Sequence, residues 1–269
     1  MVNKMKVKKN LLSVIIPAYK QERTIQKDLK DIENVLQQIR YDYEIICVVD
    51  GREDKTFQNA KKIKSKKLKV VGYKNNHGKG YAIRYGMVRA KGNLIAFIDA
   101  GMDINPKGIP MLLEHMFWYG SDVIVGSIRH SASKVHGYPF KRKIYSWGYH
   151  LLTRLFFGLR ITDSQRGLKI FKRGVLEKVL PRLLVKKYAF DIEMLSVAYR
   201  LGFKKIHDGP VELDASKYKY SSIKFGTVWS MLWDTIAVFY RLRLLRYYDE
   251  INKHKWRYDP DLDFKINIG

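Results

Sequence analysis

The chain has a single cysteine, Cys47, among 269 residues. A disulfide framework is excluded, and a reducing compartment or face fits best. Acidic residues are scarce: 26 Asp and Glu stand against 51 Lys and Arg, a formal net charge of +25. That surplus calls for an anionic partner, and nucleic acid, anionic lipid headgroups and phosphorylated substrates are the candidates. No apolar run approaches the roughly 20 residues that span a bilayer, so a membrane-spanning chain is not expected. Leu11 to Ala18, behind a basic start, is too short for a secretory leader and reaches Pro17 too early. Internal repeats and low-complexity tracts are missing. His77, His130 and His136 show no metal-ligand spacing. No nucleic-acid-binding module is recognisable, which argues against that partner. Apolar sequence is plentiful, at 46%, so a substantial core is expected and global disorder is excluded.

Short apolar runs alternate with segments at helical spacing. Leu11 to Pro17, Tyr43 to Val49, Leu68 to Tyr73, Leu94 to Ile98 and Asp122 to Ser127 read as buried strands. Thr24 to Ile39, Thr56 to Ser65, Tyr81 to Ala90 and Pro106 to Trp118 read as the helices between them. This order predicts an α/β fold with a mostly parallel sheet covered on both faces. The second half departs from the alternation. It reads as a loop over 128–140, a helix from Lys141 to Phe157, and a turn and strand from Asp163 to Arg173. A helix from Phe190 to Arg200 and a closing strand within Phe203 to Leu213 follow. Ser221 to Tyr248 reads as a long amphipathic helix or helix pair. Its stripe of Phe225, Trp229, Leu232, Ile236 and Tyr240 has Lys and Arg neighbours, as an interfacial helix requires. The expected organisation is a domain over 1–215, an interfacial helical segment over 216–248 and a tail over 249–269 poor in pattern.

Leu94 to Phe97 leads into Ile98, Asp99, Ala100, Gly101, Met102 and Asp103. Ligands of open α/β sheets sit beyond the carboxyl ends of strands. Asp99 and Asp103 are therefore expected to face a divalent cation or a sugar nucleotide. The competing reading is an acidic turn in which Asp103 caps the following helix. Asp50, at the end of the second strand, has a carboxylate able to accept from a nucleobase N–H, although Asp-Gly is also a common turn.

Taken in order, the motifs are specific. Pro17-Ala18-Tyr19-x-x-Glu22, strand-Asp50-Gly51, Gly78-Lys79-Gly80 before a helix, and strand-Asp99-x-x-x-Asp103 resemble the family 2 glycosyltransferases. Gly126 to His130, Asp163 to Arg173 and Tyr188 to Glu193 are similar to the polyprenyl-phosphate (dolichyl-phosphate) hexosyltransferase branch. The resemblance implies the GT-A fold, a Rossmann-like sheet with C-terminal amphipathic helices added. It implies that Pro17, Tyr19, Glu22, Asp50, Lys79 and Asp99 bind the nucleotide sugar. Asp99 and Asp103 would hold Mg²⁺ or Mn²⁺. Arg129, Lys134, Arg142 and Lys143 would meet the acceptor phosphate, with Arg129 and Arg142 also near the donor diphosphate. Asp191, with Glu193 beside it, completes the catalytic set. Two departures stand out: Arg52 follows Asp50-Gly51 where serine is usual, and Gly101 replaces the second aspartate of Asp-x-Asp.

The implied reaction suits these residues. An acceptor phosphate is already anionic, so no strong base is needed, and the task is to neutralise the leaving diphosphate. Attack from the far face of the anomeric carbon inverts it. The glycine-rich turn favours UDP-glucose over GDP-mannose. A lipid acceptor implies peripheral attachment at the cytoplasmic face of an anionic membrane, with a separate membrane protein or a homo-oligomer as further options. Two other readings remain open at this stage: a donor-binding scaffold weakened by Gly101, and a nucleic-acid-binding protein motivated by the charge.

Overall fold

The computed structural model describes residues 10–138, 140–186, 189–214, 225–249, 255–260, 262 and 264–267, without the side chains of 140–143, 225–228, 264 and 267. The first half runs β1 (Leu11–Ala18), α1 (Ile25–Leu36), β2 (Asp42–Asp50), α2 (Thr56–Lys61), β3 (Leu68–Tyr73), α3 (Lys79–Val88), β4 (Leu94–Phe97), α4 (Gly108–Trp118) and β5 (Val123–Ser127). Next come β6 (Lys134–His136), α5 (Phe140–Phe157), β7 (Lys169–Lys172), α6 (Arg173–Val179), α7 (Phe190–Arg200), β8 (Ile206–Pro210) and β9 (Glu212–Asp214). The chain ends with α8 (Phe225–Phe239), a π-helical turn over Tyr240–Leu244, β10 (Trp256–Asp259) and β11 (Phe264–Asn267).

Seven strands form one sheet in the order β3-β2-β1-β4-β7-β5-β8. All pairings are parallel except those of β7, which runs antiparallel between β4 and β5. The strands are continuous apolar runs because both sheet faces are covered. Alternate residues feed opposite sides: Ile15, Ile46, Ile95 and Phe97 enter one buried cluster, and Val14, Ile16, Cys47 and Ala96 the other. Strand order reverses between β1 and β4, so their carboxyl ends frame a crevice open to a ligand. Asp50 and Asp99 leave the sheet at this end.

The expected strands and helices of the first half are present. β4 is shorter than its apolar run, although Ile98 N–H still reaches the Ile15 carbonyl at 3.0 Å. The second half holds more structure than its pattern indicates. β6 lies inside the expected loop and pairs with β9. α6 lies in a stretch with no assigned element, and the tail forms the antiparallel hairpin β10–β11. Short amphipathic pieces with few residues per face carry too little periodicity to be seen. The boundary expected at 215 falls outside the described residues. Beyond it, the end of α8 and the segment after it are not a mere appendage, since Val238, Leu242 and Tyr248 are buried in the main cluster.

α3 lies close on the sheet because Gly86 has no side chain: a Cβ there would press on Ile15 Cγ2 and stand 2.9 Å from Val48 Cγ2. Gly86→Ala is expected to lower stability by about 1–3 kcal/mol, the cost of overpacking, read as a lower urea midpoint with an unchanged slope. Cys47 is fully buried, and burial pushes its thiol up to about 12. Ellman's reagent should therefore modify it only at the rate of unfolding; fast labelling of the native protein would contradict this packing.

Candidate active site

The crevice is built from four crossing points. The first is the turn after β2. Asp50 is buried, and its Oδ1 accepts from His77 N–H at 2.8 Å while Oδ2 accepts from Gly78 N–H at 2.9 Å and Asn76 Nδ2 at 3.1 Å. Both oxygens are thus engaged in shaping the glycine-rich turn that opens α3. Gly78 has φ +93°, which only glycine adopts without strain. These bonds let Asp50 position the turn that carries Lys79.

The second is the turn after β4. Gly101 has φ +94° and Met102 φ +58°. Asp28, buried on α1, accepts the Gly101 N–H at 3.1 Å and so holds this turn. Asp99 is backed by Gly167, where any Cβ would collide with its carboxylate.

The third is a chain of alternating charges. Lys79 Nζ lies 2.7 Å from Asp99 Oδ2 and 4.0 Å from Asp191 Oδ2. Lys169 Nζ lies 2.7 Å from Asp191 Oδ1, also donates to the Arg166 carbonyl, and sits over the Phe97 ring. Lys169 is fully buried, and burial outweighs Asp191 to pull its pKa below the ordinary lysine value. Burial acts the same way on Lys79, but there Asp99 and Asp191 outweigh it and raise the pKa.

The fourth is a wall between two cavities. Arg166 Nε meets Asp163 Oδ2 at 2.7 Å, and its Nη2 donates to Tyr138 Oη at 2.8 Å. On one side lies a polar cavity of about 60 Å³ lined by Asp99, Asp103, Gln165, Arg166 and Gly167. On the other lies an open, mainly apolar cleft of about 840 Å³ lined by Arg129, Tyr138, Ile144, Ser146 and Trp147. Arg129 Nη2 donates to Ser146 Oγ at 3.0 Å, which aims the guanidinium along this cleft.

The sequence-predicted residues Asp50, Lys79, Asp99, Asp103 and Asp191 therefore meet at one end of the sheet, with Arg129 across the wall. Pro17 is buried near the end of β1. Tyr19 and Glu22 form an exposed rim with the 53–55 segment: Tyr19 Oη donates to Glu53 at 3.0 Å, and Glu22 accepts from Lys55 N–H at 3.1 Å. Lys134 is exposed on β6, whose neighbour Val135 lines the cleft. Adjacent strand side chains face opposite ways, so Lys134 is not gathered with Arg129. The side chains of Arg142 and Lys143 lie outside the described residues. Glu193 turns away from the crevice: it accepts from the Leu184 and Val185 amides and from Tyr248 Oη, and burial raises its pKa. Lys169, Gly167 and Asp28 were missed. A lysine inside the apolar run Leu168 to Phe171 is the signal that could have found the first, since lysine is almost never fully buried unless paired.

The fit to a divalent ion rests on two carboxylates. Asp99 Oδ1 is buried with no partner among the described residues, and Asp103 lines the same cavity. Among the described residues no group of three or more His, Cys, Asp or Glu is placed to hold a metal. The pair fits Mg²⁺ or Mn²⁺ bound in the way usual for hard cations that share their shell with waters and substrate phosphates.

Residues 13–180 match the model of Glycosyl transferase family 2. The chain belongs to this family. It is 31% identical over 241 residues to the dolichyl-phosphate beta-glucosyltransferase of Drosophila melanogaster, covering 82% of this chain and 74% of that one. It is 31% identical over 196 residues to the dolichol-phosphate mannosyltransferase of Pyrococcus furiosus, covering 68% of this chain and 55% of the other. The glucosyl-3-phosphoglycerate synthase of Mycobacterium tuberculosis, crystallised with Mn²⁺, UDP and phosphoglyceric acid, superposes with a TM-score of 0.64 at 19% identity, over 96% and 86% of the chains. This family 2 glycosyltransferase therefore has the GT-A fold that its motifs implied.

The charge chain makes a direct prediction. Asp191→Asn leaves the Lys169 ammonium buried beside a neutral partner and should cost about 3–5 kcal/mol. Adding Lys169→Met to Asp191→Asn should recover most of that loss in urea melts. Equal destabilisation of the single and double variants would contradict the pairing.

Proposed function

We propose that this glycosyltransferase moves a hexose from a nucleoside diphosphate sugar to dolichyl or another polyprenyl phosphate, with inversion, at a membrane surface. UDP-glucose is the first donor to test and GDP-mannose the second. The observation that carries this reading is the pair of cavities on either side of the Tyr138–Arg166 wall. One is small, polar and acid-lined at the sheet's ligand-binding end. The other is large and apolar, with a guanidinium at its inner side. A sugar diphosphate fits the chemistry of the first, and a lipid phosphate that of the second. The relatives named as dolichyl-phosphate glucosyltransferases and a dolichol-phosphate mannosyltransferase support the same substrates.

The steps follow from the residues. The acceptor phosphate needs no deprotonation, so the chain's work is to hold two anions in line and neutralise the one that leaves. Arg129 meets the acceptor phosphate. Lys79 and Arg166 border the space for the donor diphosphate. A divalent ion held by Asp99 and Asp103 would supply further neutralising charge there. Tyr19 and Glu22 lie at the rim where the base and ribose would enter.

The lipid must arrive from a bilayer. α5 exposes Ile144, Tyr145, Trp147, Leu151 and Leu155, the last at 79%. α8 exposes Trp229 and Trp233. The two helices are joined by the Tyr149 Oη–Thr235 Oγ1 bond at 3.1 Å and by the tilted ring contact of Phe156 with Phe239. Among the described residues no helix is long and apolar enough to cross a membrane. An interfacial face with aromatic anchors and surrounding cations fits the apolar exposure and the net charge of +25 together.

Detergent-solubilised protein with Mg²⁺ or Mn²⁺ should transfer radiolabelled glucose from UDP-glucose to dolichyl phosphate. No transfer from any common sugar nucleotide would refute the assignment. Arg129→Ala should reduce transfer by about 10²-fold, the usual loss for one charge-stabilising donor, with UDP binding intact. The double variant Trp147→Glu with Trp233→Glu should abolish sedimentation with anionic liposomes; unchanged binding would place the membrane face elsewhere.

A further inference from the structure

We propose that Lys79 is the resident cation of the Asp99 seat, so that a divalent ion enters it only together with the donor diphosphate. The inference rests on the donor reading above and adds an order of binding to it.

The Lys79 ammonium is already paired with the carboxylate a divalent ion would need: it holds Asp99 Oδ2, while Oδ1 has no partner among the described residues. It is 2.7 Å from Asp99 and 4.0 Å from Asp191, and Asp103 also acts on it electrostatically. Asp191 cannot turn wholly to an incoming ion, because its other oxygen is committed to the buried Lys169 at 2.7 Å. Gly101 adds no side-chain ligand. Asp99 has little freedom to swing aside, since Gly167 backs it closely. An ion approaching without nucleotide therefore meets a positive charge already paired with its main ligand, and few other ligands.

The diphosphate changes both conditions. Its oxygens attract the Lys79 ammonium away from Asp99, on a flexible four-carbon stem with three rotatable donors. They also provide the hard oxygen ligands that the chain lacks. Nucleotide and ion then bind cooperatively, and by linkage each must tighten the other by the same factor. Lys79 offsets part of the seat's negative charge while no donor is bound.

The test is Mn²⁺ binding to the full chain, followed by the electron paramagnetic resonance signal of free Mn²⁺, with and without UDP. Wild type should bind Mn²⁺ on the order of 10-fold more tightly with UDP than without it. Lys79→Gln and Lys79→Met should bind Mn²⁺ without UDP on the order of 10-fold more tightly than wild type, and Asp99→Asn should remove that gain. Lys79→Arg, which keeps the charge, should stay weak. Equal wild-type affinity with and without UDP would overturn the proposal, as would UDP-free binding unchanged in folded Lys79→Gln and Lys79→Met. Radiolabelled UDP in equilibrium dialysis separates the two levels. UDP binding with UDP-independent Mn²⁺ binding sinks only the role of Lys79. No UDP binding under any condition sinks the donor reading, and the proposal with it.

Discussion

A fully buried ammonium must be neutralised where it stands, and Lys169 sets the terms for the rest of the crevice. Its partner is Asp191 at 2.7 Å, so β7 and the first turn of α7 are tied together beneath the ligand end of the sheet. Asp191 in turn faces Lys79, and Lys79 reaches Asp99. One line of charges thus joins α7, α3 and the turn after β4. Lys169 and Asp191 are buried, so removing either leaves the other unpaired in a poorly solvated place, which is costly; Lys79 and Asp99 are partly exposed. The sheet supplies position, and the charges supply mutual dependence.

The same logic extends behind the crevice. The 183–186 segment is held by two helices: on α3, Gly80 N–H donates to the Lys186 carbonyl and Arg84 to the Leu183 carbonyl, and on α7 Glu193 accepts from Leu184 and Val185. Glu193 also accepts from Tyr248 and lies 3.6 Å from Arg241, beyond the end of α8. The helix face assigned to the bilayer and the turn assigned to the donor therefore share buried polar supports. A second group, Arg166 with Asp163 and Tyr138, divides the acid-lined cavity from the apolar cleft. On the proposed function, two anionic substrates would be kept apart there until their reacting ends meet.

The parallel half of the fold was legible because buried strands and amphipathic helices leave strong periods, and each acid after a strand sits where an open sheet places its ligands. Asp99, Asp103, Lys79 and Asp191 lie up to 112 positions apart in sequence, yet their convergence was expected from motif order. Their partners were not. Lys169 hides in an apolar strand, and Gly167 acts only through the side chain it leaves room for. Asp50 was legible as a site residue because it ends a strand at the ligand end of the sheet, but its role in shaping the turn was not. Its three hydrogen bonds to residues 76–78 depend on contacts distant in sequence. Lys134 was grouped with Arg129 by charge and proximity, but strand alternation, invisible in a three-residue element, turns it elsewhere. The tail hairpin escaped for the same reason as β6: four residues per strand leave almost no pattern.

Gly101 has a consequence for any attempt to undo its substitution. Restoring aspartate there concerns the backbone as much as the side chain. A non-glycine residue at φ +94° is strained by about 1–3 kcal/mol, and the Gly101 N–H is held by Asp28 in the neighbouring helix. The space beside it is open, with Gln21 Nε2 the nearest atom at 3.7 Å from a Cβ. The barrier to reversal is therefore conformational and not steric. The route back to a full acidic motif runs through the Asp28–Gly101 bond, and a single codon change would restore the ligand while leaving its backbone badly posed.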